Sequence, residues 1–471
     1  MVLGGRQRDA ADYFLGRRGL PWWAIMLSIV ATETSALTVI SVPGIAARGN
    51  LTFLQLGFGY LLGRIGVAAL LLPGYFDGVQ DTAYQRLERR FGPLARRVAS
   101  AAFLATRALG DSVRVFATAI PIALIAWPGE PVTVERLAWG VLGVGLVTIL
   151  YTWFGGLRAV VWVDVLQLGF YLFGGIATLV VALRMAGGAA SLARAWEAGK
   201  LTMIDLTPSF QSTYTLWGGL LGGALLSAAS HGTDHLLVQR LLAARDLRDA
   251  RRALIGSGIF VILQFALFLL VGTALWLVGA ARPELAGDEI YPRFVIESLA
   301  PGLAGLVIAA ILAAAMSTVA SSLNSLASAS THDFYAPLTG RSESGHLLRV
   351  GRAFTLVWAL ILVGGALLFR DKNTPVVVLA LSIASITYGS LLGTYLLGGF
   401  WARARQRDAI VAVCAGVLLM LPVVLHVPFA LFPHLAWPWY VPLGTSVTVA
   451  AGMVSSLVDG KVGKLEGWKG E

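Results

Sequence analysis

Residues Leu20–Ala47 read LPWWAIMLSIVATETSALTVISVPGIAA. At 1.5 Å rise per residue a helix of that length runs to about 42 Å, more than the ~30 Å apolar core of a bilayer. It is also too long for the ~7–15-residue apolar region of a cleavable signal, so it reads as an uncleaved first membrane helix. Its middle holds Ala31-Thr32-Glu33-Thr34-Ser35-Ala36. Charged and helix-weakening residues at membrane depth invite a break. The carbonyls that a break frees are tolerated only where they line a cavity or an ion site. Hydroxyls bonded back to the preceding turn would account for the threonines and the serine, but not for Glu33.

The rest of the chain repeats the theme. Of 471 residues, 57% are hydrophobic and 13% charged, against about 25% charged in soluble proteins, and mean hydropathy is +0.74. Apolar windows predict helices near 21–47, 51–76, 96–127, 136–154, 159–184, 214–243, 252–280, 301–333, 346–369, 374–400, 408–427 and 437–459. The windows are too long for membrane strands of ~9–11 residues, so the chain reads as an all-α integral membrane protein of about 12 transmembrane helices. With the N-terminus inside, about 24 of the 36 Lys and Arg fall in segments on one side and about 9 on the other. That bias places both termini in the cytoplasm and the chain in a plasma or inner cell membrane. The net charge of +10 therefore reflects membrane orientation and not nucleic-acid binding, and no aromatic-basic RNA-binding pattern accompanies it. Cys414, the one cysteine, excludes an internal disulfide.

Ionisable and hydroxyl groups at membrane depth are candidate sites by default. In helix 8, Ser317, Thr318, Ser321 and Ser325 share one face. Such a stripe can replace water around a hard cation, or bond to a neighbouring helix. His231-Gly232-Thr233-Asp234-His235 in helix 6 fits a zinc site by spacing, or a second broken helix with Gly232 at the break. Arg107, Asp111 and Arg114 in helix 3 lie at spacings four and three and can pair along one face. Their net charge of +1 calls for an outside acid, for which Glu33 and Asp234 are the candidates. Asp164 in helix 5 has no sequence-local partner. Depth and lack of local partners make Glu33, Gln55, Asp234, Ser385 and Tyr388 candidate walls of a solute site.

Five stretches in series resemble the sodium:solute symporter family: Asp12–Trp23 (DYFLGRRGLPWW), Thr82–Gly92 (TAYQRLERRFG), Gly155–Gln167 (GGLRAVVWVDVLQ), Gly232–Asp246 (GTDHLLVQRLLAARD) and Ala313–Tyr335 (AAAMSTVASSLNSLASASTHDFY). The resemblance implies a leucine-transporter-type fold: two inverted five-helix repeats (21–184 and 214–400) separated by an extracytoplasmic loop (185–213). Two peripheral C-terminal helices (401–460) would follow, between a cytoplasmic N-terminal segment (1–20) and tail (461–471). It implies Na⁺ as coupling ion, bound by carbonyls of Ala31, Thr34 and Ala314 with the hydroxyls of Ser317 and Thr318. A second Na⁺ would use Asp164 and Ser321, with Ala320 lacking the hydroxyl that some members have there. In sugar-transporting members polar and acidic residues follow the helix 1 break; here Leu37 and Thr38 stand there, which adds Thr38 to the solute wall. The function implied is Na⁺-coupled symport of a small polar organic solute, in contact with membrane lipid. The rivals are proton coupling through Glu33 or Asp234, a membrane enzyme built on His231, Asp234 and His235, and a solute sensor that moves nothing.

Overall fold

The computed structural model describes residues 9–34, 36–78, 80–127, 130, 133–368, 376–425, 432 and 434–466. Expectations for residues 1–8, Ser35 and 467–471 lie outside the described residues. Among these, the chain is helical, with one isolated bridge between Leu20 and Ala244 and no strand.

Among the described residues, nine helices are long and apolar enough to cross a membrane, and ten if the bent pair at the start is one span. That pair is span 1, Trp22–Glu33 and Ala36–Arg48, whose halves are bent by 58°. Two further segments complete the dozen. Spans 4 and 5 form one long helix, Val134–Met185, interrupted at Gly156 with φ 61° and ψ 176°. A Cβ there would also stand 3.0 Å from the Tyr13 carbonyl oxygen, so both backbone and space require glycine. Span 6 is broken, as Gly223–Gly232 and His235–Leu242. Its second half is capped by Asp234, whose side chain accepts from Leu236 N at 2.9 Å. The other spans are 2 (Leu54–Leu71), 3 (Pro93–Ala126), 7 (Leu247–Leu277), 8 (Pro301–Thr339), 9 (Ser344–Leu368), 10 (Val376–Phe400), 11 (Gln406–Val424) and 12 (Trp437–Val458).

Small residues set how closely spans pack. A Cβ on Gly59 would lie 2.0 Å from the Gly219 carbonyl oxygen, and one on Gly63 2.2 Å from that of Ala224. Spans 2 and 6 therefore meet backbone to backbone, as small residues allow in lipid.

The sequence reading missed the helix Gly287–Ser298 between spans 7 and 8. It contains Pro292 and is polar on one face, so it lacks a membrane signature. Its start packs on span 1, where a Cβ on Gly44 would meet the Gly287 carbonyl at 2.2 Å. Asp288 accepts a hydrogen bond from Val376 N at 3.0 Å, capping span 10.

Two arginines near the ends of predicted helices are inside the bundle. Arg240 is wholly buried, and Arg96 nearly so.

Candidate functional site

Span 1 ends its first half at Glu33, and Thr34 leaves the helix with φ −85° and ψ 74°. The last carbonyls of that half lose their intrahelical partners. Thr34 is fully buried, and its Oγ1 makes no hydrogen bond of good geometry, with the Tyr171 hydroxyl beside it. Ala31, Ala314, Ser317 and Thr318 are buried too, so span 8 turns its hydroxyls into protein and not toward lipid. Thr318 Oγ1 donates to the Ala314 carbonyl at 3.3 Å. The carboxylate of Asp164 links the two spans: Ser28 Oγ of span 1 donates to it at 2.5 Å, and Ser317 Oγ of span 8 donates to its other oxygen. Neutral carbonyl and hydroxyl oxygens with an adjacent carboxylate make a donor set that suits a hard monovalent cation, by analogy with other hard cations on oxygen ligands.

The oxygens read as a second cation site, those of Asp164 and Ser321, meet an arginine. Arg240 donates to Asp164 Oδ2 at 3.2 Å, to Ser321 Oγ at 2.5 Å and to Ser28 Oγ at 2.9 Å. Its guanidinium stands where a second cation would need those oxygens, and it is the partner that Asp164 lacked in the local sequence.

Beside the break in span 1 lies a cavity of about 80 Å³, reached by Glu33, Thr38, Tyr60, Arg107, Arg114 and Tyr388 among others. About 10–15 Å³ suffices for one water, so it holds several waters or part of a small solute. Its ionised groups form two clamps. Glu33 pairs with the fully buried Arg64 of span 2, which also donates to Ser257 Oγ at 2.8 Å. Asp234, at the break of span 6, pairs with Arg107 and accepts from Tyr388 Oη at 2.7 Å, while Arg107 donates to that same oxygen at 2.8 Å. Asp111 lies 3.4 Å from Arg107 and 2.9 Å from Arg114. The outside acid for the trio is thus Asp234; Glu33 is taken by Arg64. The three acids balance the three arginines. Of these side chains, Glu33 (16% exposed) and Arg114 (19%) reach the open space most.

Not every candidate reaches the cavity. Gln55 donates to the carbonyls of Thr52 and Tyr214 at 3.0 and 3.1 Å and accepts from Asp205 N at 3.1 Å. It anchors the 185–213 loop and does not line the cavity. Ser385 is spent on the Leu381 carbonyl at 2.7 Å. The His231/Asp234/His235 grouping also separates: His231 turns to the Ser227 carbonyl and Ser230, whereas His235 meets Ala83 N and Ser328 Oγ. Among the described residues no group of three His, Cys, Asp or Glu side chains is placed to hold a metal. Sequence reasoning missed Arg64 and Arg240. Both are intramembrane charges, which was the available signal, but their partners are distant in sequence.

On the arginine-rich side a hydrogen-bonded layer is built around Asp333. Asp333 accepts from Thr82 Oγ1 at 2.6 Å, Arg96 Nε at 2.7 Å and Ser100 Oγ at 2.8 Å. Tyr75 and Tyr395 close the layer on the carbonyls of Gly232 and Ala83. The cavity instead extends to Phe53, just before span 2, and Val377, at the start of span 10, so it points to the opposite face.

Comparison with known proteins bears on this architecture. The family model described as sodium:solute symporter family matches residues 13–416. The sodium-dependent multivitamin transporter of Oryctolagus cuniculus is 28% identical over 430 residues, covering 88% of this chain and 66% of its own length. The chain thus spans about two thirds of that relative. The sodium/sialic acid symporter NanT of Aliivibrio fischeri is 28% identical (88% and 83% covered), and the sodium/glucose cotransporter of Vibrio parahaemolyticus 26% (97% and 86%). Among solved structures, a substrate-bound, outward-open Na⁺-coupled sialic acid symporter superposes with TM-score 0.85 at 24% identity, over 97% of this chain and 94% of that one. The nucleobase-cation-symport-1 transporter Mhp1 gives 0.58 at 13% identity, over 96% of each chain. The fold is the leucine-transporter type.

Proposed function

The chain belongs to the sodium:solute symporter family, and on that premise we propose that it is a secondary active transporter that couples Na⁺ entry to uptake of a small polar organic solute. The reading rests above all on one observation: a broken span 1 packs on span 8, to which Asp164 ties it through Ser28 and Ser317, and its break adjoins a charge-lined cavity. Na⁺ is cargo here. The carbonyls of Ala31, Thr34 and Ala314 with the hydroxyls of Ser317 and Thr318 would hold it, and the solute would sit in the cavity against Glu33, Thr38, Arg114 and Tyr388. The protein lies in the plasma or inner membrane with both termini cytoplasmic. In that orientation the cavity faces outward and the Asp333 layer is the closed inner gate.

Proton coupling through Glu33 or Asp234 is disfavoured by their ion pairs. Protonating Glu33 leaves the buried Arg64 without its counter-charge, and protonating Asp234 leaves Arg107 and Arg114 to share the one carboxylate of Asp111.

The test needs no knowledge of the solute. Unfolding temperature is measured for purified protein titrated with NaCl at constant ionic strength, against choline chloride. A ligand that binds only the folded state stabilises by RT ln(1 + [L]/Kd). Wild type should rise saturably with Na⁺, and Ser317→Ala with Thr318→Ala should lose the rise. An Na⁺ response equal in both proteins removes the site.

A further inference from the structure

Away from the central cavity, spans 1 and 7 form a groove of about 640 Å³ at the arginine-rich face. It is lined by Trp22, Arg248, Arg251, Arg252, Ile255 and Gly256. We propose that it is a binding site for the phosphate headgroup of an anionic membrane phospholipid.

The charges there are underused. Arg251 spends its Nε on the Ala68 carbonyl at 2.9 Å. Arg252 has, among the described residues, only Asp249 at 3.9 Å and is half exposed. Arg248 has no ion pair or hydrogen bond among the described residues. Three guanidiniums against one weakly engaged carboxylate leave an excess positive charge in a concave surface. The planar fork of arginine matches a phosphate with two parallel hydrogen bonds.

Position identifies the source of the phosphate as lipid. Span 1 starts at Trp22 and span 7 at Leu247, so the groove lies at the membrane boundary, where tryptophan concentrates. Gly256 lets the spans approach: a Cβ there would meet Met26 Sδ at 2.7 Å. Below the arginines, Arg252, Ile255, Ile259 and Leu263 follow at spacings of three and four along one helical face. Ile259 and Leu263 are 52% and 64% exposed. From Arg252 to Leu263 is about 16 Å of helix, which matches one ~15 Å leaflet of acyl chain. A free phosphate ion would cover the arginines and leave that stripe bare.

The test uses the full chain purified in a neutral detergent. Thermal unfolding is followed while dioctanoyl phosphatidylglycerol, dioctanoyl phosphatidylcholine or inorganic phosphate is added. Phosphatidylglycerol should stabilise saturably, and the other two much less. Arg248→Gln with Arg252→Gln should weaken its apparent affinity about 25-fold, since each basic residue near an anionic membrane surface counts for about 1 kcal/mol. Both arginines are exposed, so the variant should fold. Arg349→Gln with Arg403→Gln, an equal loss of charge at the same face, should leave the affinity unchanged. Equal stabilisation by phosphatidylcholine, full stabilisation by inorganic phosphate alone, or equal weakening by the two variant pairs would each overturn the proposal.

Discussion

Glu33 and Arg64 stand 31 positions apart, one at the break of span 1 and the other inside span 2. Neither is tolerable alone at that depth: an unpaired charge in a bundle costs several kcal/mol, and breaking one partner of a buried pair typically costs about 3–5 kcal/mol. Arg64→Met should therefore destabilise by about that amount. Arg64→Met combined with Glu33→Gln should recover more than half of it, because no charge is left unmatched. Denaturant unfolding of the four proteins in one detergent measures the coupling. Additive losses would mean that the two side chains do not answer each other. The pair also illustrates what the sequence conceals. Glu33 announces itself by sitting among threonines in an apolar run, and Arg64 by being charged in span 2, yet nothing local connects them. Asp164 and Arg240 are the same case at a separation of 76. Arg107 with Asp111 and Arg114 was legible because helical spacing alone brings them together. The acid from outside that trio was narrowed to two residues, and packing decides for Asp234.

At the scale of elements, the spans were readable because hydropathy and length determine them, and both helix breaks fall where polar residues interrupt an apolar run. What escaped was the short helix Gly287–Ser298, which is amphipathic and needs span 1 to cover its apolar face. Close approach gives a sharp test. Gly59→Ala puts a methyl group into the Gly219 carbonyl, and neither backbone can yield cheaply. That variant should lose at least 3 kcal/mol or fail to fold, beyond the usual range of overpacking. Gly66→Ala, a few residues along the same helix with nothing within 4 Å, should gain up to about 1 kcal/mol from helix propensity. Equal effects at both positions would contradict the backbone contact. Asp288 provides a second test. Burial pushes its carboxyl above the usual range, although the Ser41 hydroxyl and the Val376 N–H pull the other way. Below pH ~4 the group is protonated in folded and unfolded chains alike. As pH rises, the unfolded chain releases the proton first, so this term costs stability through the window between the ordinary value of ~3.9 and the raised one, and is constant above it. Asp288→Asn keeps an acceptor for Val376 N–H and never ionises. It should match or exceed wild type in melting temperature at pH 7 and lose that advantage as pH is lowered toward 4. Asp288→Ala, which orphans the N–H, should be less stable by about 1–2 kcal/mol at every pH.

At the scale of the whole molecule, a hydrogen-bonded layer lies on one side of the central cavity, and the cavity extends toward the other. Three elements converge on Asp333: Thr82 from the connection after span 2, Arg96 and Ser100 from span 3, and the carboxylate itself from span 8. Span 8 also carries Ser317 and Thr318, so one helix touches both the proposed cation site and the seal. A cation that fits between spans 1 and 8 in this arrangement, and less well when they part, shifts the population toward this arrangement by its difference in affinity and by no more. Cysteine accessibility can read that shift. The exposed native thiol is first removed by Cys414→Ser. Ala384→Cys then reports the open cavity, which Ala384 lines. Ser328→Cys reports the sealed side, where Ser328 is wholly buried against His235. With Na⁺ present, a membrane-impermeant thiol reagent should modify Ala384→Cys readily and Ser328→Cys slowly. Replacing Na⁺ with choline should move the two rates in opposite directions. Asp333→Asn, which weakens the charged anchor for Arg96 while the cation site keeps all its oxygens, should speed modification of Ser328→Cys even in Na⁺. Rates that rise or fall together at both positions would indicate general loosening of the bundle. Opposed changes are the signature of a single conformational equilibrium that exposes the two sides in alternation, biased by an ion seated on the helix that also holds the gate.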